Sequence, residues 1–74
     1  MVYKHLSLVD AAAIGASFRF AQLVEVDFTR ALLMNVSFQR AVVTGANFGH
    51  CNLKGANFAD AIGVAHADFS DALL

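Results

Sequence analysis

The stretch Ala46-Asn47-Phe48-Gly49-His50-Cys51-Asn52-Leu53-Lys54-Gly55-Ala56-Asn57-Phe58-Ala59-Asp60 repeats a small, a polar and a bulky apolar residue every five positions. Taking the bulky residue as the centre of each unit, the spacing runs backward through Val43, Phe38, Leu33, Phe28, Leu23 and Phe18 to Ala13, Leu8 and Tyr3. Forward it breaks once, and the next centres are read as Val64, Phe69 and Leu74, with one inserted residue in the corner at 59–63. A second apolar set lies two residues before each centre, from Met1 and Leu6 through Ala31, Cys51 and Ile62 to Ala72. The whole chain is 58% apolar, so chance would fill thirty fixed positions about once in ten million. The pattern is therefore a fold signal.

A period of five suits neither common element. A helix turns about 100° per residue, so a five-residue repeat drifts around its surface. In an extended segment, residues i and i+2 share a face. Here the centre and the residue two before it point inward, their flanking neighbours point outward, and the chain must turn before the next inward pair. Phenylalanine at alternate centres doubles the period to ten, and four units make a coil of twenty residues. Phe18, Phe38 and Phe58 then stack on one wall and Phe28, Phe48 and Phe69 on the opposite one. Leu23, Val43 and Val64 form a third wall, and Leu33, Leu53 and Leu74 a fourth. These centres, Phe18 through Phe69, are the expected core, with opposing phenylalanines interleaved with aliphatic neighbours.

On these residues the chain resembles the pentapeptide-repeat family, whose loose motif is a small residue, a polar residue, leucine or phenylalanine, and two variable residues. Ala46-Asn47-Phe48, Cys51-Asn52-Leu53 and Ala56-Asn57-Phe58 match it closely, and Ala16-Ser17-Phe18 and Ala67-Asp68-Phe69 match its first three places. The start departs from it, with Ala13 at a bulky place and Leu6 at a small one. The resemblance implies an all-β fold, a right-handed, four-sided parallel β-helix. The units amount to nearly four coils, in a single solenoid domain spanning 1–74.

Composition narrows the function. At 74 residues with 15% charged, the chain is too apolar for disorder. Its longest apolar stretch, Ala11–Ala16, falls far short of the roughly 20 residues of a membrane span. No basic start leads into an apolar run, so the expected location is cytoplasmic. A net charge of −1 gives no general attraction to nucleic acid. One cysteine excludes an internal disulfide framework.

The outer walls differ in character. Ser17, Arg19, Ser37, Gln39 and Asn57 make one wall polar, and Asp27, Asn47 and Asp68 form a mildly acidic column on another. The Leu33 wall instead carries Ala12, Ile14, Leu32 and Met34 before Asn52 and Lys54, with Val24 and Phe20 as weaker companions elsewhere. Scattered apolar residues are ordinary on any surface, whereas a contiguous patch marks an interface. The chain also finishes on Leu73 and Leu74 with no capping helix in sight. Ala12, Ile14, Leu32, Met34, Leu73 and Leu74 are therefore the candidate interface. The corners read Asp10, Arg30, His50, Asp71 and Phe20, Arg40, Asp60, alternations that set opposite charges near one another up the stack.

Catalytic constellations are not apparent. His5 and His66 share a corner column about 14 Å apart by strand spacing, and His50 lies on another, so no metal site is expected. Cys51 falls among inward small residues and reads as core, not nucleophile. Asp27 and Asp68 are two coils apart, too far for an acid–base pair. No cofactor is expected, and the chain reads as no enzyme. The expected function is a noncatalytic structural or protein-interaction module that binds itself, most simply as a dimer, or another protein. Two alternatives stand beside it. Some members of the family mimic duplex DNA and bind DNA gyrase, but those are longer, acidic, rod-like dimers. The chain could also serve a larger protein as spacer or adaptor.

Overall fold

Each five-residue unit contributes one pairing residue, the one just before its centre. In the computed structural model, which describes residues 1–74, Val2 bridges Gln22, Ser7 bridges Asp27, Ala12 bridges Leu32 and Ser17 bridges Ser37, all in parallel. The offset of twenty continues upward through Val42 and Ile62. Successive coils thus stack in four columns of single-residue bridges. Between bridges the chain must bend, so no extended strand or sheet forms; the one regular element is a short 3-10 helix, Val64–His66.

The bends are β-turns. The N–H three residues after a centre donates back to that centre's carbonyl, as Leu6 does to Tyr3 at 3.2 Å and Val36 to Leu33 at 3.2 Å. Outside the 3-10 segment, each such turn carries a positive φ at the corner, and most corners are not glycine: Phe20, Glu25, Arg30 and Arg40 all lie between 57° and 60°. This conformation is costly for side chains of that kind. It persists because the corner N–H is bonded to the next coil, as Glu25 is to the Thr44 carbonyl at 3.0 Å.

The polar place in the repeat has a backbone reason. The N–H of the residue after the centre is the one amide in the unit that the coil stack leaves without a carbonyl. A polar side chain before the centre accepts from it: Asp27 from Thr29 at 2.9 Å, Asn47 from Gly49 at 2.8 Å and Asn57 from Ala59 at 2.8 Å. An amide that would otherwise lack a partner is satisfied locally.

Inside, the phenylalanines form two parallel-ring stacks. Phe18–Phe38–Phe58 has centroid spacings of 5.5 and 4.8 Å, and Phe28–Phe48–Phe69 has 5.0 and 5.1 Å. The two stacks meet edge-to-face, for example Phe38 with Phe48 at 5.4 Å and 80°. This corrects the expectation that opposing rings interleave with aliphatic neighbours. Rings from facing walls reach across the axis and touch, a geometry the ring quadrupole favours. Leu23, Leu33, Val43, Leu53 and the small inner residues complete the fully buried cluster, while Tyr3, Phe18, Phe58 and Phe69 on the outer coils are half-buried.

Val64 is a second correction. It is 37% exposed, on the 3-10 turn, and does not extend the Leu23–Val43 column. Strict five-residue spacing from Phe58 leads to Gly63, and the backbone keeps that register: Ile62 bridges Val42 and is 60% exposed, although it was assigned an inward place. The extra residue is absorbed after Gly63, not in the corner at 59–63. Gly63 has φ 84°, and a Cβ there would come within 2.9 Å of Thr44 Cα. Main-chain pairing to the preceding coil decides the register, and the apolar side chain of Val64 yields to it. The bridges beyond shift to Asn47 with Asp68 and Asn52 with Leu73.

Candidate interaction surface

The four bridge columns give the walls unequal chemistry. On the Phe18 and Phe28 walls, Ser17, Ser37, Asn57, Asp27, Asn47 and Asp68 accept from nearby amides. The two remaining walls, half a coil apart, have Ala12 and Leu32 on one side and Val2, Val42 and Ile62 on the other at the same place. These side chains cannot accept a hydrogen bond. The N–H groups of Ile14 and Met34 on the first wall, and of Thr44 on the second, consequently have no acceptor in the chain, and that of Val24 has none either, because the Gln22 side chain before it does not turn back to accept.

On the Leu33 wall, Ala12, Leu32, Asn52 and Leu73 form one bridge column. Ile14 and Met34 run beside it, held by the bond from Gly15 N–H to the Met34 carbonyl at 2.9 Å. Ala12, Ile14 and Leu32 are exposed and Met34 is half-buried. The structure thus places these four together. Leu73 is in the same column but stands beyond Asn52, and Leu74 occupies the centre place on the last coil, 78% exposed.

The opposite wall carries a smaller apolar pair that the sequence reading missed: Ile62, 60% exposed, stands beside half-buried Val42, while Val2, 65% exposed, is separated from them by exposed Gln22. The signal was available: counting five from Phe58 puts Ile62 just before a centre and therefore outside. Phe20, at an exposed corner, has the guanidinium groups of Arg19 and Arg40 at 5.5 and 5.6 Å from its ring centre.

The charged corners pair as the alternation suggests. Arg30 donates from Nε to Asp10 Oδ1 at 2.9 Å and from a second nitrogen to Oδ2 at 3.3 Å. This bond holds the Asp10 carboxyl below its ordinary pKa. His50 lies 3.6 Å from Asp71, Arg40 lies 4.0 Å from Asp60, and His5 with Glu25 at 3.0 Å is a further pair not anticipated. The Thr29 hydroxyl and N–H likewise hold Asp27 low, and those of Ser70 hold Asp68 low. Cys51 is buried, its thiol donating to the Phe28 carbonyl at 2.7 Å, and burial pushes its pKa up. His5, His50 and His66 are not brought together in a metal-binding cluster, and no pocket opens on the surface. No helix is long and apolar enough to cross a membrane.

Comparison with known proteins places this geometry. A family model described as pentapeptide repeats matches in eight copies over residues 14–49 and 37–74. Among solved structures, a pentapeptide repeat protein from the Arabidopsis thaliana thylakoid lumen is 21% identical with a TM-score of 0.53, over 95% of this chain and 59% of that one. One from the cyanobacterium Cyanothece 51142 is 21% identical with a TM-score of 0.51, over 82% of this chain and 46% of that one. The chain therefore spans about half the length of these structural relatives. No curated protein matches it. Repeated motif, twenty-residue coil and structural likeness agree: the chain belongs to the pentapeptide-repeat family and folds as a right-handed β-helix.

Proposed function

We propose that residues 1–74 form one solenoid domain of nearly four four-sided coils, acting as a noncatalytic interaction module that associates with itself through the Leu33 wall or a coil end. The observation that carries the reading is the wall where Ala12, Ile14, Leu32 and Met34 adjoin. Its side chains are apolar, and the Ile14 and Met34 amides beneath them lack acceptors. A covering surface would remove the apolar area from water and could supply carbonyls to those amides. A dimer is the simplest product.

The test is Leu32→Asp with Met34→Asp. Both side chains lie outside the buried cluster, so the fold should survive. The expected result is a fall in solution mass to that of a monomer, with loss of any bound protein partner. Unchanged mass and unchanged partner capture would overturn the role of this wall. A gyrase-binding DNA mimic has less support. The acidic column offers only Asp27 and Asp68 around Asn47, and Arg30 and Arg40 stand on the corners.

A further inference from the structure

The turn bonds fix which backbone groups the Leu33 wall shows to its surroundings. Val36 donates its N–H inward to the Leu33 carbonyl at 3.2 Å, and Ala16 to the Ala13 carbonyl at 3.0 Å. In a planar trans peptide the N–H and C=O point opposite ways. The bond from Val36 therefore turns the Asn35 carbonyl outward, and the Leu33 carbonyl that accepts it turns the Met34 N–H outward. Ala16 and Ala13 do the same for the Gly15 carbonyl and the Ile14 N–H. Neither N–H has an acceptor in the chain, and neither carbonyl has a donor. One coil on, the Asn52 side chain covers the Lys54 N–H at 3.2 Å. Each of the two apolar coils thus shows a bare donor with a bare acceptor beside it. One corner of the wall carries the Asp10–Arg30 ion pair, both side chains more than half exposed. The other corner, Gly15 and Asn35, is uncharged.

We propose that a second copy of this chain docks face to face on this wall, the two stacks antiparallel, about a two-fold axis between the coil of Ala12 and the coil of Leu32. This deepens the reading that the chain self-associates, and rests on it. Such a contact is self-complementary and closes as a dimer.

Three features select the arrangement. Ala12 and Ile14 lie over the partner's Leu32 and the partner's Met34, so apolar side chains cover one another. The Met34 N–H faces the coil that holds the bare carbonyl of the partner's Gly15, and the Ile14 N–H the coil that holds that of the partner's Asn35. Asp10 faces the partner's Arg30, and Arg30 the partner's Asp10, so two internal ion pairs form a square of alternating charge that fixes the register. A two-fold along the stack would set the bare amides against the side chains of the partner's Ala12 and the partner's Leu32, which accept nothing. Sliding the antiparallel copies by one coil would set Arg30 against the partner's Arg30. The molecule measures only 21 × 20 × 20 Å over its Cα atoms, so a contact on part of one wall falls short of the roughly 1,200 Å² of a stable complex. The dimer is weak and forms with rising concentration.

The experiment is sedimentation equilibrium of the 74-residue chain over a concentration series. Asp10→Arg makes the corner basic and Arg30→Asp makes it acidic. Each variant alone should dimerise roughly tenfold more weakly than the parent, while an equimolar mixture should dimerise at least as tightly as the parent. Circular dichroism checks that both fold. A second arm separates association from folding. Leu32→Asn gives the Met34 N–H an acceptor of the kind Asn57 gives Ala59 at 2.8 Å, so it should raise the melting temperature and weaken the dimer. Val42→Asn makes the same change for Thr44 on the opposite wall, and should raise the melting temperature with the dimer unchanged. If a corner variant does not fold, these two asparagine variants decide the matter.

Corner variants that each dimerise like the parent, with no gain on mixing, would overturn the antiparallel arrangement; loss of the dimer on Leu32→Asp with Met34→Asp would then leave the wall itself standing. A dimer untouched by Leu32→Asn, or weakened equally by Val42→Asn, would overturn the part given to the bare amides. A monomer at every concentration would overturn both readings.

Discussion

Truncating Phe38 to alanine tests the packing at its densest point. The ring is fully buried and has four aromatic neighbours: Phe18 at 5.5 Å and Phe58 at 4.8 Å in its own stack, and Phe28 at 5.9 Å and Phe48 at 5.4 Å edge-on. The coils above and below are held by backbone bonds at fixed spacing, so the cavity cannot collapse freely. A Phe→Ala change at such a site costs about 3–5 kcal/mol. At about 0.05–0.15 kcal/mol per residue, a chain of 74 residues has roughly 4–11 kcal/mol in all. The variant therefore loses about a quarter or more of the total and in the worst case does not fold. A domain this size shifts by about 4–8 °C per kcal/mol, so the melting temperature should fall by at least about 12 °C. Phe58→Ala is the internal comparison. That ring is half-buried on the last coil and should cost less, about 2–3 kcal/mol. Thermal melts followed by far-ultraviolet circular dichroism read both. A shift of a degree or two for Phe38→Ala, or a larger loss from Phe58→Ala, would refute the two-stack core.

Further outcomes follow from the same geometry. Gly63→Val should destabilise by about 1–3 kcal/mol through its positive φ and collision with Thr44, whereas Val64→Asp should stay within about 0.5 kcal/mol at its exposed site; denaturant titration showing the reverse order would return Val64 to the core. The folded pKa of Asp27 lies below its ordinary value of 3.8, so its stabilising share is complete above that value and is lost as pH falls through the folded pKa. The melting temperature should therefore drop on acidification below about pH 4, and Asp27→Asn should shrink that drop; a melting temperature that rises on acidification would contradict the sign.

Much of the fold was legible because pairing and packing share one five-residue period. Phe28, Phe38 and Phe48 announce both the inward face and the coil length. Val64 was misplaced because side-chain character was weighed above register. An apolar residue looked a better centre than Gly63, yet Ile62 is tied to Val42 through the main chain. The apolar pair of Val42 and Ile62 was hidden for the same reason, since it exists only if Ile62 faces out. The ring contacts across the axis were not legible, since a period names the wall but not how far a side chain reaches. On the Leu33 wall, Ala12, Ile14, Leu32 and Met34 could be grouped from spacing alone. What spacing could not disclose was the pair of unpaired amides beneath them, because that depends on which backbone groups the neighbouring coil consumes.

Amide hydrogen exchange in the central coil addresses the coil geometry most directly. The N–H groups of Leu33, Asn35, Val36, Ser37 and Phe38 are all bonded to carbonyls, while that of Met34 has no acceptor. Slow exchange at these five with fast exchange at Met34, and the same break at Val24 and Thr44 a half-coil away on either side, is the predicted record. Uniform protection through 33–38, or protection with the period of a helix, would contradict a chain wound in five-residue units.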